Sequence, residues 1–119
     1  MSVQTSLLGA ATVIEDRGWT RDAYVDDDGC VDIVGAIVVA VGGKFKYDDD
    51  GKPEDFVANT EVYAALAAVD DVINQPVEPP EVSLHPVMVL SAVEWNDTEG
   101  RTQGEVLSVL RAAAKLVAA

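Results

Sequence analysis

The chain has 119 residues, 49% of them apolar and only 6% aromatic, so one domain can build a core of Val, Ala, Leu and Ile without disulfides or metal. A chain of this size buries roughly two thirds of the surface that its unfolded form exposes. Twenty-one acids stand against eight bases, a formal net charge of −13, which argues against binding nucleic acid by neutralising phosphates and equally against attraction to anionic membranes.

The first predicted helix spans residues 3–17, where Leu7, Ala10, Ala11 and Ile14 fall at helical spacing. Gly18 supplies its stop, as the residue that takes a left-handed C′ position without steric cost, and Trp19 is placed to fold back onto the helix. The segment "RDAYVDDDGCVD" is an Asp-rich connector with Gly29 at a turn. Asp32 then reads as the N-cap of a second helix, "IVGAIVVAV", that stops at Gly42-Gly43. No face of this helix is polar, so it should be buried on all sides; its β-branched content keeps a strand as the alternative. Gly35 and Ala36 are small enough to let a neighbouring helix approach closely.

Lys44-Phe45-Lys46-Tyr47 alternates as a short strand does, and Asp48-Asp49-Asp50-Gly51 is a turn, so a small hairpin or a long loop follows. The third helix is predicted over 53–74, with Pro53 in its first turn, Glu54 and Asp55 at its positive end and Phe56, Val62, Tyr63, Leu66, Val69 and Ile73 as its buried stripe. "QPVEPPEVSLHP" contains four prolines and reads as a stiff linker. A fourth helix is expected over 86–95, with Ser83 or a nearby residue before it, and a fifth over 103–117, burying Val106, Leu107, Val109, Leu110, Ala113 and either Leu116 or Val117.

The stretch "EWNDTEGRTQGEVL", 94–107, is the most patterned part of the chain. Thr102 and Glu105 stand three apart before an apolar run, the spacing of a capping box that satisfies two orphan N–H groups. Gly100 allows a tight reversal, Asn96 and Asp97 are good turn formers, and Trp95 offers a large apolar body to anchor the turn. Arg101 has Asp97 or Glu94 as ion-pair partners. Each of Trp19, Trp95, Asn96, Asp97, Arg101, Thr102 and Glu105 is thereby assigned a structural task. "RGW" at 17–19, "VGAIVVA" at 34–40 and "WNDTEGRTQGEVLSVLRAAAK" at 95–115 resemble one small domain family of actinobacteria and their phages that has no assigned function. That pattern is associated with a cysteine in the helix region before "GA", where this chain has Asp32, with Cys30 two residues earlier. The resemblance implies a helical domain of bacterial or phage source and no particular chemistry.

"DDDG" occurs at 26–29 and again at 48–51. A calcium loop needs oxygen ligands alternating along the chain and a distal bidentate acid; three adjacent aspartates before a glycine match a solvated turn better. One His and one Cys do not make a structural zinc site. His85, the only histidine, would need Ser83, Ser91 or Cys30 brought to it to form a nucleophilic pair. No nucleophile elbow, phosphate loop or dinucleotide fingerprint is present. The reading is non-enzymatic, with no catalytic residue, metal or cofactor.

A single cysteine permits no intrachain disulfide and fits a reducing compartment. No basic residue precedes Arg17, and the longest apolar run, 33–43, has eleven residues, short of the about 20 that span a bilayer. The expectation is a cytoplasmic, mainly α protein: one compact domain over 1–119, a bundle of four to five helices with a short hairpin or long loop between helices two and three. It would act as an accessory protein through contact with a protein partner or itself, without nucleic acid, membrane or small-molecule substrate. Asp26, Asp27, Asp28, Asp48, Asp49 and Asp50 are the candidate interaction surface. Two alternatives share that composition: an acidic inhibitor or DNA mimic of a basic host protein, and a structural component that forms a homo-oligomer.

Overall fold

The computed structural model describes residues 2–73 and 85–117. Helix α1, Val3–Arg17, starts at Ser2, whose side chain accepts the Thr5 N–H. It ends at Gly18, whose own N–H donates to the Ile14 carbonyl at 2.7 Å. Gly18 has φ 94° and ψ 164°, a glycine region that is extended rather than left-handed helical. The reason lies downstream. The chain must leave the helix straight, because Trp19 forms an isolated parallel bridge with Val31. A Cβ at Gly18 would also press on the Cys30 sulfur at 3.0 Å. The Trp19 backbone therefore runs beside the end of the connector, and its side chain is partly buried against the core.

Helix α2, Ile33–Ala40, has Asp32 as N-cap, and its residues from Ile33 to Val38 are buried. The apolar run is thus a helix, with no polar face because no side of its first six residues meets water. It packs against α1 and two later helices, α3 (Thr60–Ile73) and α4 (His85–Asp97), while α5 (Gln103–Val117) closes over α1 and α3. Leu7, Ile14, Ile33, Ile37, Leu66 and Leu110 are the largest fully buried side chains of the resulting core, whereas Leu116 and Val117, expected to supply the last buried position of α5, are both exposed in its final turn. The close approach expected at Gly35 is made by the connector and not by a helix: a Cβ there would run into the Tyr24 carbonyl oxygen. Helix α1 makes its own close approach to α2 at Gly9, opposite the Ala40 methyl.

Strands β1, Phe45–Tyr47, and β2, Pro53–Phe56, form an antiparallel hairpin. Asp48 shapes the turn, its Oδ1 accepting the N–H groups of Asp50 and Lys52 at 2.9 Å each. Pro53, Glu54 and Asp55 consequently belong to a strand, and the third helix begins at Thr60, later than its sequence predicts. The competing signal was Lys44 to Tyr47, which supplies the strand that captures this segment. Phe56 is buried, as its place in the predicted stripe required, but it reaches the core from β2. Asn59 caps α3 in place of the proline turn, its Oδ1 accepting from Glu61 and Val62 N–H at 2.9 and 3.3 Å. Tyr47 pairs with Pro53 while Lys46 pairs with Asp55, so Glu54 is the extra residue of a bulge, a device that re-aims a side chain.

Helix α4 runs on through Asn96 and Asp97, two residues whose types favour a turn. The reversal follows them, with Gly100 at φ 85°. Thr102 Oγ1 accepts the Glu105 N–H at 3.2 Å, and Glu105 Oε1 accepts the Thr102 N–H at 3.1 Å, the reciprocal bonds of a capping box. Most of the proline-rich linker, residues 75–84 with Ser83, lies outside the described residues, as does the side chain of His85, while the linker's last two residues, His85 and Pro86, already belong to α4.

Candidate functional site

Four acidic residues line one cleft where the connector, the bulge of the hairpin and the last turn of α4 border the start of α2. The cleft, of about 270 Å³, is bounded by Asp22, Asp32, Glu54 and Asp97, with Tyr24 as its aromatic wall. None of its lining residues is basic. One buried side chain joins α4 and the connector to the start of α2 at this cleft.

That side chain is Asn96, which has no solvent exposure. Its Oδ1 accepts the Trp19 indole N–H at 2.7 Å and the Ile33 backbone N–H at 3.1 Å. Its amide group donates to the Thr20 carbonyl at 3.2 Å and to Asp97 Oδ1 at 3.0 Å. All four hydrogen-bonding positions of the amide are used, which satisfies an orphan N–H of α2 where water cannot reach it. Asp97 Oδ1 also accepts the Asp22 N–H at 3.0 Å. Asp22 has φ 67°, a left-handed conformation that costs a non-glycine residue energy and persists because neighbours hold it. The Asn96–Asp97 pair thus fixes the connector at the mouth of the cleft.

Asp32 forms the floor. It is 1% exposed, and its Oδ1 accepts the Gly35 N–H. Burial drives its pKa up to about 7, and the nearby Asp97 carboxylate pushes the same way. The N–H groups of Gly35 and Val34 and its own N–H pull it back toward the ordinary range, as hydrogen bonds to the charged form do. Tyr24 feels the same surroundings: burial raises its pKa, and Asp32 and Asp55 raise it further. The Tyr24 ring is held by Phe45 and Phe56 at centroid distances of 6.3 and 6.2 Å, so the cleft has one rigid aromatic side.

The other singled-out residues fall into three separate places. Trp95, Arg101, Thr102 and Glu105 form a cluster at the α4–α5 turn. The Arg101 guanidinium lies 4.0 Å from the Trp95 ring centroid, its Nε donates to the Trp95 carbonyl at 3.0 Å, and its other end pairs with Glu105 at 2.9 Å. Its partner is therefore Glu105, one helical turn away, and neither Asp97 nor Glu94, because stacking on Trp95 turns the guanidinium toward α5. Asp26 folds its own loop, accepting Asp28 and Cys30 N–H at 2.9 Å each; desolvation would raise its pKa, but the Thr20 hydroxyl and the backbone N–H groups of Cys30, Asp28 and Gly29 together lower it. Asp27 and Asp28 point to solvent, as do Asp49 and Asp50. A shallow groove of about 400 Å³ brings Asp26 and Asp27 beside the hairpin residues Tyr47, Gly51 and Lys52, with Arg17 also lining it. The mixed charge there contrasts with the uniform sign of the first cleft.

Sequence reasoning missed Asp22, Tyr24 and Glu54, and read Asp32 chiefly as a cap. One signal was present: an acid placed at the start of a helix with no polar face must itself be buried. Among the described residues no group of three or more His, Cys, Asp or Glu is placed to hold a metal ion, and no helix is long and apolar enough to cross a membrane. What the four spread carboxylates and the ring can accept is a larger, delocalised or tethered cation, such as a guanidinium or alkylammonium group.

The fold and cleft together define a mainly helical, strongly acidic domain with a buried aspartate at the start of its central helix. The chain belongs to the DUF6197 family, a family of unknown function, whose model matches residues 1–116. No curated protein and no solved structure matches it.

Proposed function

We propose that this chain is a non-enzymatic binding domain that acts by protein–protein contact, seating a cationic side chain of a basic partner in the Asp22, Asp32, Glu54 and Asp97 cleft. The observation that carries the reading is the cleft itself: four acids, an aromatic wall and no basic residue in its lining. The net charge of −13 supports it at long range, because a field of one sign steers an oppositely charged partner and speeds its arrival. The exposed acids Asp27, Asp28, Asp49 and Asp50 lie outside the cleft and add to that long-range field. The setting we infer is the cytoplasm of a bacterium or of a phage-infected cell, in keeping with a free Cys30 thiol.

Glu54 separates this reading from a general acidic attraction. It is exposed and sits on a bulge, so charge reversal there leaves the core intact. A basic partner captured by the wild-type protein should be lost with Glu54→Lys and should elute as salt is raised. Equal capture by the wild type, by Glu54→Lys and by an unrelated protein of similar charge would overturn the cleft reading. A captured partner that DNA displaces would mark phosphate mimicry as the mode of action.

A further inference from the structure

We propose that Asp32 is the proton-linked element of the cleft: a cationic group that enters expels the proton from the buried Asp32 carboxyl, so that occupancy and deprotonation occur together. The inference rests on the cation-binding reading of the cleft and adds its regulation. Three features of the geometry support it. Asp32 lies at the floor of an open cleft yet is 1% exposed, so the medium between it and an occupant is poor in water and transmits charge strongly. Its hydrogen-bond donors are backbone N–H groups at the start of α2, and no basic side chain lines the cleft to fix its charge. The titratable groups that face it are Asp22 and Tyr24 from the connector, Glu54 from β2 and Asp97 from α4. Burial opposes ionisation of Asp32 in the empty cleft, and the Asp97 carboxylate pushes the same way. A cation reverses that balance.

Arg21, the cation on the connector, is turned elsewhere. Its guanidinium lies 5.8 Å from the Trp19 ring centroid and donates to the Thr98 carbonyl. The proton of Asp32 is therefore not already displaced by an internal partner. The step is an exchange: the neutral carboxyl loses H⁺ to solvent through the cleft mouth, and the positive charge of the occupant takes its place. Above neutral pH the carboxylate is already formed and binding is tight. In mildly acid solution the occupant must also remove the proton, and binding weakens.

The test follows the Asp32 carboxyl carbon by NMR between mildly acid and mildly alkaline pH in the full-length protein. Ethylguanidinium chloride serves as the probe, against sodium chloride at equal ionic strength. Expected is a titration near neutrality in the free protein, moved downward by about one unit or more with the probe, and affinity about tenfold tighter on the alkaline side, one unit being a factor of ten. Asp32→Asn should bind the probe more weakly than the wild type on the alkaline side, and with an affinity that no longer changes with pH. If the probe shifts the Tyr24 and Asp97 signals equally at every pH, the proton linkage is overturned while the cation-binding reading stands. An Asp32 midpoint in the ordinary carboxylate range has the same consequence. If the probe moves no cleft signal at any pH, the binding reading fails and the linkage with it. The wild-type titration decides the matter even if Asp32→Asn fails to fold.

Discussion

Replacing Asn96 with alanine would leave the Trp19 indole N–H and the Ile33 N–H without their acceptor. A buried polar group left unpaired costs about 1–3 kcal/mol, so Asn96→Ala should lose about 2–6 kcal/mol from those two donors. Urea denaturation measures it, and a loss below about 1 kcal/mol would show that water replaces the amide. Asp32 has a different signature. Its folded pKa of about 7 stands above the ordinary 3.8, so between those values the folded chain holds a proton that the unfolded chain has released. Stability contributed by this group is present below pH 4, is lost as pH rises through about 7 and is flat beyond. The span is up to about 4 kcal/mol, at about 1.4 kcal/mol per unit. Asparagine caps a helix as well as aspartate does, so Asp32→Asn should flatten this slope and melt higher than wild type at mildly alkaline pH. A parallel pH profile for the two proteins would refute the assignment. Neither Asn96 nor Asp32 could be given these roles from sequence, because each depends on a meeting of segments more than sixty residues apart.

Local chemistry fixed several elements before any tertiary contact was known. Helix α5 occupies the predicted 103–117 because its start signal is within four residues of sequence, Thr102 to Glu105. Thr102→Ala should accordingly cost about 0.5–2 kcal/mol through the lost cap, and an unchanged melting temperature would show that the Glu105 bonds alone suffice. Helix α1 was legible for the same reason, with Gly18 at its end. Helix α3 was not. Pro53, Glu54 and Asp55 are as good in a first helical turn as in an edge strand, and strand pairing with Phe45 to Tyr47 decided between them. Helix α2 carries the tightest backbone approach of the molecule's core, Gly35 against the Tyr24 carbonyl. Backbone cannot swing aside as a side chain can, so Gly35→Ala should destabilise by about 1–3 kcal/mol or more. It should also disturb the cleft, since the connector residue that must move bears the Tyr24 ring. A near-wild-type melting temperature would mean that the connector yields freely.

At the scale of the whole molecule, the acidic excess has two opposed effects. It prepares the surface for a basic partner, and it makes the folded chain repel itself. Only two ion pairs, Arg101–Glu105 and Arg111–Glu15, join described residues, so most of that repulsion is unrelieved. Raising ionic strength from about 0.01 to 0.15 M shortens the screening length from about 30 to 8 Å. The melting temperature should rise over that range while affinity for a basic partner falls. A melting temperature that falls with salt would show that specific pairs outweigh the general field. The fold class was legible at this scale because apolar periodicity sets it. The cleft was not, because it is made of acids in a chain where acids are common.

The Asn96 side chain completes a helix whose first residue was synthesised 63 positions earlier. At about 5–20 residues per second, a ribosome needs several seconds to make that interval. Throughout that wait the segment of α2 exists as an oily stretch whose first peptide group lacks its eventual acceptor. The core around α2 is therefore expected to close late, after α4 has been made, and not to assemble from the N-terminus onward. Synthesis halted before Asn96 would yield a product with its central helix unsealed, and such fragments should be substrates for chaperones and proteases instead of stable subdomains.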